Sequence, residues 1–276
     1  MWMPYQGLVL LAILAAGADR EVHADTMKTT TIKVLTFNIL HGATMNGDGN
    51  LDVIAQVILD VDPDLVALQE VDVRTARVGG RDLAADLGRR TQLHPLFARA
   101  MDYDSGEYGV AILSRYPVLR SRSLALPFTG GNEPRVALEA ALQLPSGQTI
   151  AFVATHLDNV SSGDRTAQAR VLNREFGGVG LPRLLAGDFN ATPESECIAI
   201  LKEAWTPTDA PDAPPTFPSN KPEVKIDYVF FAPRESWVVK ETRVIENRVA
   251  SDHFALFATM ELKVRQDEQY GTDKTD

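Results

Sequence analysis

The stretch from Leu184 to Pro193 reads LLAGDFNATP and places an Asp and an Asn directly after an apolar run. A short apolar run that ends in a turn closed by proline is typical of a buried β-strand. Asp188 and Asn190 are therefore expected at the end of a strand, where their side chains can serve as oxygen ligands or hydrogen-bonding groups.

Other segments repeat this design, in which a β-prone hydrophobic stretch carries one polar group at its end. They are VLTFN at 34–38, LVALQE at 65–70, AFVATH at 151–156 and IDYVF at 226–230. The tripeptide Ser251-Asp252-His253 adds an acid and an imidazole near the C-terminus. Each motif alone is a weak signal, and their combination in this order is a strong one.

These six motifs resemble, in content and order, the endonuclease/exonuclease/phosphatase superfamily of divalent-metal phosphoesterases, over residues from about Thr31 to about Val264. The resemblance implies a DNase I-like fold with the active site at one edge of two paired sheets. It implies a reaction class and leaves the substrate open, because one fold carries many functions.

The pattern along the chain predicts the same architecture independently. Residues 31–71 read as β-α-β, residues 94–144 as strands separated by turns, and Pro145-Ser146-Gly147 as a hairpin turn. Helices are predicted at 81–91, 161–176 and 195–204, a proline-rich loop at 206–222, and strands at 225–231, 236–245 and 254–264. Two sets of strands with helices outside them predict a four-layer α/β sandwich of two packed, mostly antiparallel sheets.

The domain organisation is predicted as a leader, one catalytic domain and a tail. Residues 1–24 contain an apolar run too short to span a bilayer, followed by small residues suited to signal-peptidase cleavage. They are expected to be a signal peptide or an uncleaved N-terminal anchor. Residues 25–265 form the catalytic domain and 266–276 a polar disordered tail. The expected location is periplasmic or secreted, membrane-anchored if the leader is retained, and the expected state is a monomer.

Charge and cysteine content limit the classes of function. The net charge of −10 argues against a broad basic surface for nucleic acid, although a metal site can concentrate positive charge locally. The single cysteine, Cys197, cannot form an internal disulfide and is interpreted as a packing residue rather than a nucleophile.

Oxygen-bearing side chains at strand ends suit Mg²⁺ or Mn²⁺ better than zinc. By the resemblance, Glu70 is the leading metal ligand, with Asn38 and Asp252 beside it and Asp188 touching the metal or lying just behind it. One ion would neutralise the phosphate, and two would clamp the attacking and leaving oxygens. The sequence leaves the number of ions open.

The resemblance also assigns catalytic roles. His253 is expected to pair with Asp227, since a carboxylate that accepts from one imidazole nitrogen makes the other a better base. Asp188 would position water or protonate the leaving oxygen, and Asn190 and His156 would donate to phosphate oxygens. Which of Asp188 and His253 handles which proton stays open.

Tyr108 and Arg135 lie in two further segments that resemble family motifs, YGVAILSR at 108–115 and EPRVAL at 133–138. Both are candidates for contacting phosphate. Tyr108 could equally pack in the core, and Arg135 could equally pair with an acid. Val110 stands where many relatives carry Asn, so a polar contact used elsewhere is absent here.

The leading interpretation is an exported, Mg²⁺-dependent hydrolase that cleaves a phosphoester, with a phosphodiester preferred, by in-line attack of water. The alternatives are a secreted nuclease, a sphingomyelin or phospholipid phosphodiesterase, and a binding module that kept the fold without catalysis. A nuclease should show basic side chains near the site, and the strongest cluster is Arg89-Arg90. Membrane contact would come only through a lipid substrate or a retained leader.

Overall fold

Twelve β-strands and four α-helices form the part of the chain that a computed structural model describes, which is Met1 and residues 29–178, 180–210 and 212–263. The strands of the first sheet are β1 (Thr29–Asn38), β2 (Leu65–Val73), β3 (His94–Tyr103), β4 (Gly106–Ser114), β11 (Trp237–Ile245) and β12 (Ala255–Lys263). The second sheet contains β5 (Val118–Leu126), β6 (Arg135–Gln143), β7 (Thr149–His156), β8 (Arg183–Asp188), β9 (Thr206–Pro207) and β10 (Asp227–Ala232). The helices are α1 (Leu51–Val61), α2 (Leu83–Thr91), α3 (Ser162–Phe176) and α4 (Glu196–Leu201).

The two sheets have the same internal plan. Their strand orders are β11-β12-β1-β2-β4-β3 and β5-β6-β7-β8-β10-β9. In each sheet the central pair is parallel, β1 with β2 and β7 with β8, while the other neighbours are antiparallel. A parallel pair needs a crossover, and α1 and α3 provide it. The prediction of two mostly antiparallel sheets is confirmed.

Strand alternation sets up four layers. In β1, Ile32 and Val34 belong to the apolar cluster between the two sheets, whereas Leu35 and Phe37 belong to the cluster shared with α1 and α2. A third cluster packs α3 and α4 against the outer face of the second sheet. The apolar period of two therefore places one helical layer on each outer face, as the sequence predicted.

The first crossover helix begins and ends where the sequence indicates. The side chain of Asn50 caps α1 by accepting from the Asp52 amide, which satisfies one of the free N–H groups of the first turn. Asp62 ends the helix in the left-handed conformation. The chain then enters β2 directly, which carries Glu70 toward the site.

Two predicted bounds need correction. The helix predicted from Arg81 begins at Leu83, because the Asp82 side chain accepts from the Ala85 amide and acts as the cap. The segment predicted as a loop at 206–222 contains the short strand β9 and a bridge between Phe217 and Val224. Backbone pairing of β9 with Phe230 and Phe231 of β10 orders the start of this proline-rich segment.

No helix among the described residues is long and apolar enough to cross a membrane. The predicted tail at 266–276 lies outside the described residues, as do residues 2–24 of the predicted leader.

Candidate active site

The site forms where strands of both sheets end at the same edge. Asn38 is the last residue of β1, His156 the last of β7 and Asp188 the last of β8, while Asp227 opens the antiparallel strand β10. Within the second sheet, Asp188 lies directly opposite both His156 and Asp227. The Asn38 amide Nδ2 donates to Asp188 Oδ2 at 3.1 Å and so joins the two sheets.

Glu70 reaches this edge from inside β2 rather than from its end. The strand pairing with β4 shifts register between Leu68 and Val71, and Glu70 has a φ of 56°. This bulge turns the Glu70 side chain toward Asn38, whose Nδ2 donates to Glu70 Oε1 at 3.2 Å. Burial raises the pKa of Glu70, but the adjoining His41 ring, nearby positive charge and the Asn38 amide outweigh it and lower that pKa to about 2. The carboxylate is therefore held in its ionised form.

His253 lies between two aspartates. Its Nδ1 is 3.0 Å from Asp227 Oδ2 and its Nε2 is 3.6 Å from Asp188 Oδ2. Burial lowers the pKa of His253, but the charges of Asp227 and Asp188 outweigh it and raise that pKa well above its ordinary value. The burial of Asp188 raises its own pKa. Because Nδ1 is bonded to Asp227, Nε2 is the nitrogen that can exchange a proton with a substrate or water.

Ser251 holds the loop that carries His253 in place. The buried Ser251 hydroxyl donates to the backbone oxygen of Asn38 at 2.7 Å and lies 3.3 Å from the His253 amide. It also lies 3.2 Å from Asp252 Oδ1. Burial raises the pKa of the half-buried Asp252. One hydroxyl thus ties the end of β1 to the Ser-Asp-His segment.

His156 is held in its neutral form. Burial and the positive charge of Arg135 lower the pKa of His156 well below its ordinary value. Arg135 Nη1 lies 3.2 Å from Nδ1 of His156 and Asn190 Nδ2 lies 3.1 Å from its Nε2, so each ring nitrogen faces a group that donates. Nε2 is also 3.4 Å from Asp188 Oδ2. His156 therefore presents Nε2 to the site between Asn190 and Asp188.

Asn190 completes this side of the site. Its φ of 49° places it in a left-handed turn, and its amide N–H donates to Asp188 Oδ1 at 2.9 Å. Its Nδ2 lies 3.1 Å from His156 Nε2 and donates to the Leu157 carbonyl at 3.1 Å. The turn predicted from the sequence thus brings Asp188, Asn190 and His156 together.

Tyr108 and Arg135 are buried behind His156 and line a narrow recess with Gly109 and Val110. Arg135 pairs with Glu133 at 3.0 Å, which is the alternative that the sequence left open for it. Burial raises the pKa of Tyr108 above its ordinary range. Both residues have partners within the protein, and their direct contact with phosphate stays a prediction.

Two residues that contact the site were not predicted as site residues, although Phe217 was a weak candidate for contacting a lipid substrate. The Phe217 ring lies 4.7 Å from the His253 ring, centroid to centroid, although its position in a proline-rich loop favoured loop packing. His41 places Nδ1 3.5 Å from Glu70 Oε2. Its position three residues after Asn38 was the only signal, and spacing alone does not show that a turn points the ring back.

The donor set fits a hard divalent cation. The carboxylates of Glu70 and Asp188 converge on one Asn38 amide, and the low pKa of Glu70 keeps its oxygens charged. A second group of buried donor atoms, from Asp188, Asp227 and His253, lies within 4.8 Å of one another. In that group Asp227 and His253 already bond to each other.

The fold and this edge define a phosphoesterase architecture, and the sequence profile of the Endonuclease/Exonuclease/phosphatase family matches residues 35–253. The chain belongs to that family. It is 26% identical over 253 residues to the uncharacterized protein YbhP of Escherichia coli K12, a match that covers 86% of this chain and 99% of YbhP. It is 30% identical over 181 residues to the uncharacterized protein F14F9.5 of Caenorhabditis elegans, covering 66% of this chain and about half (49%) of that protein.

Solved structures share the fold at low identity. An endonuclease/exonuclease/phosphatase from Beutenbergia cavernae superposes with a TM-score of 0.72 at 24% identity, covering 84% of this chain and 72% of its own. The mannosyl-6-phosphatase Bt3783 of Bacteroides thetaiotaomicron gives 0.68 at 19%, covering 83% and 99%. D. rerio TDP2, complexed with a single-strand DNA product, gives 0.66 at 22%, covering 84% and 99%. At these identities the likeness shows the fold.

Proposed function

We propose that this protein is a divalent-metal-dependent hydrolase of phosphodiesters. The observation that carries the proposal is the position of His253, whose ring contacts Asp227 and Asp188 at the edge where Asn38 and Glu70 also meet. A charged imidazole, an ionised Glu70 carboxylate and neutral amide donors within one site are groups that can promote phosphoryl transfer to water.

Glu70 and Asp252 would hold Mg²⁺ or Mn²⁺, with Asp188 touching the ion or lying behind it, and Asn38 would join them through Oδ1, which here accepts from the Leu40 amide. We place the ion on the Glu70 side because Glu70 is partly exposed, whereas Asp227 and His253 are buried and bonded to each other. When bound, the cation would neutralise charge on the phosphate and stabilise the leaving oxygen. The Asn38 amide would orient the carboxylate oxygens toward it.

The water that attacks phosphorus would sit between Asp188 and Nε2 of His253. These two groups are 3.6 Å apart and can both hydrogen-bond to one oxygen. As the water oxygen bonds to phosphorus, its proton would pass to whichever of these two groups is unprotonated, the bond from phosphorus to the ester oxygen would break, and a protonated group of the site would supply a proton to that leaving oxygen. Asp227 fixes the ring so that Nε2 stays directed at the reaction.

His156 and Asn190 would bind the non-bridging phosphate oxygens. His156 is neutral, so in the tautomer that carries its proton on Nε2 it would donate without adding positive charge. Among the described residues, Arg135 is the arginine that contacts His156, and Glu133 balances its charge. A monoanionic diester suits this supply of cations better than a monoester, which carries close to two charges at neutral pH.

Two observations bear on the nuclease alternative. Arg89 and Arg90 lie at the C-terminal end of α2. The chain then enters β3 at His94, at the end of the first sheet away from the site. Both arginines pair with acids. The proteins that share this fold include the mannosyl-6-phosphatase Bt3783 and D. rerio TDP2 with a single-strand DNA product, so the fold leaves the substrate open. We favour a phosphodiester that is not a nucleic acid as the substrate, a class that includes lipid phosphodiesters.

The test is hydrolysis by the full-length protein with Mg²⁺ or Mn²⁺ of bis-p-nitrophenyl phosphate, p-nitrophenyl phosphate, plasmid DNA, RNA and sphingomyelin. The controls are His253→Ala and the same change at the exposed His94, which lies at the opposite edge of the first sheet. We expect diester cleavage that is lost only in His253→Ala. Cleavage of the monoester alone would contradict the diester proposal, and equal rates in both variants would contradict the site.

We also propose that the protein is exported, on the evidence of the apolar segment within residues 1–24. The N-terminal sequence of protein recovered from a periplasmic extract and from the culture medium tests this. A start near Asp25 supports cleavage, whereas intact Met1 in the cytosolic fraction contradicts export.

A further inference from the structure

His41 faces Glu70 without forming a direct hydrogen bond. Its Nδ1 is 3.5 Å from Glu70 Oε2, which is longer than the usual 2.7–3.2 Å range for such a bond. The two side chains are 29% and 24% exposed, so solvent and ions reach both. At this separation, the imidazole nitrogen and the carboxylate oxygen are close enough for both to bind one ion.

The backbone adopts rare conformations to create this approach. Leu40 and His41 have φ values of 46° and 45°, and Glu70 has 56°. Non-glycine residues seldom occupy the left-handed region, and strained residues cluster at functional sites. Asn38 Oδ1 accepts from the Leu40 amide at 3.1 Å and holds the turn in place. Both partners of the His41–Glu70 contact are thus positioned at a conformational cost.

The other imidazoles at this edge are already engaged. His156 has Arg135 on one nitrogen and Asp188 on the other, and His253 has Asp227 on one nitrogen with Asp188 facing the second. Within the described part of the chain, the contact recorded for the His41 ring is the one with Glu70. His41 is therefore the histidine whose nitrogen remains available to a metal ion.

We propose that His41 is a metal ligand that shares one divalent ion with Glu70. This inference rests on the proposed metal dependence and refines it. Nitrogen and oxygen ligands at roughly 2.1 Å from one ion, and at about right angles, lie about 3 Å apart, close to the separation seen here. An imidazole in an otherwise oxygen-lined site favours a first-row transition ion such as Mn²⁺ over Mg²⁺.

The test is a spectroscopic measurement on Mn²⁺ bound to the metal-free full-length protein. Electron spin echo modulation from ¹⁴N reports directly on a histidine nitrogen bound to Mn²⁺. We expect this modulation in the wild type and in the matched control His94→Gln, and its loss in His41→Gln. By calorimetry, we expect Mn²⁺ affinity to fall about 10-fold or more in His41→Gln, with a smaller change for Mg²⁺.

His41→Asp keeps an oxygen donor and tolerates the left-handed backbone, so it guards against a result that reflects misfolding. We expect His41→Asp to bind Mn²⁺ without nitrogen modulation. Modulation that persists in His41→Gln, or its absence from wild-type protein that binds Mn²⁺, overturns the role of His41 and leaves metal-dependent hydrolysis standing. Wild-type protein that binds neither Mn²⁺ nor Mg²⁺ overturns both proposals.

Discussion

Asp188 and Asp227 lie directly opposite each other on neighbouring antiparallel strands, and the His253 ring contacts both carboxylates. Like charges at paired positions of a sheet destabilise it unless a cation lies between them. The negative charges of Asp227 and Asp188 raise the pKa of His253, and burial raises the pKa of Asp188. The His253 ring therefore also stabilises the sheet, because its positive charge lies between two acids at paired positions.

Replacing Asp227 by Asn should impair catalysis much more than folding. The Asn side chain cannot supply the negative charge that balances His253, and it can present its amide N–H to Nδ1. We expect kcat to fall by about 10²–10⁴, the range for a positioned acid or base, with KM changed less. Steady-state kinetics on the diester checks this, with the exposed Asp60→Asn as control. A wild-type kcat in Asp227→Asn would refute the assigned pairing.

Removing divalent metal should abolish hydrolysis, and Mg²⁺ or Mn²⁺ should restore it. Because an ion that binds the folded state stabilises it, added metal should also raise the melting temperature of the wild type. The increase should vanish in Glu70→Gln and persist in Glu203→Gln, which changes an exposed residue two positions after the end of α4. Activity that survives thorough metal removal would contradict the mechanism.

The hydrogen bonds to the Asp164 carboxylate should stabilise the folded protein at neutral pH and less so in acid. Its carboxylate accepts from the Thr129 amide and hydroxyl and from Asn132 Nδ2, and these bonds lower the pKa of Asp164. A folded-state pKa below the unfolded value of about 3.9 adds stability above that pH, which is lost as pH falls through the lower value.

We therefore expect Asp164→Asn to be less stable than the wild type at pH 7 and the difference to shrink toward pH 2. Urea unfolding at several pH values measures it, and Asp60→Asn should show no such convergence. A stability difference that stays constant with pH would mean that the bonds to Asp164 do not depend on its charge.

Lys225 and Asp209 form a buried ion pair beside β10 with a 3.0 Å contact and side chains only 4% and 6% exposed. Burial lowers the pKa of Lys225 and raises that of Asp209. Removing one partner leaves an unpaired buried charge, so Asp209→Ala should cost about 3–5 kcal/mol of unfolding free energy. Lys225→Met with Asp209→Ala should cost less than the sum of the single changes. Additive costs in a double-mutant cycle would show that the charges are not coupled.

Much of the fold was readable from the sequence because local chemistry sets it. The apolar period of two in β1 determined which side chains face the other sheet, and Asn50 and Asp62 marked the ends of α1. The polar residues Asn38, His156 and Asp188 were correctly placed at strand ends. These features depend on a few neighbouring residues, so their signals survive in a single sequence.

The contacts within the site could not be read this way. The sequence placed Glu70 at the end of a strand, yet it lies inside β2, where a bulge and a left-handed backbone turn it toward Asn38. Phe217 meets His253 because Phe217 pairs with Val224 and the neighbouring Thr216 carbonyl accepts from the Phe254 amide. Such contacts join residues far apart in the chain and depend on the register and packing of whole strands.

The sequence by itself determined the strand pattern, the family resemblance and the set of polar groups at one edge. Only the tertiary structure decided that Asp188 faces Asp227 across a ladder, that His253 bridges them, and that His41 approaches Glu70. The physical reason is range. Periodicity and capping act over a few residues, whereas the distances between side chains at the site are set by how the two sheets pack and by where the backbone departs from regular strand geometry.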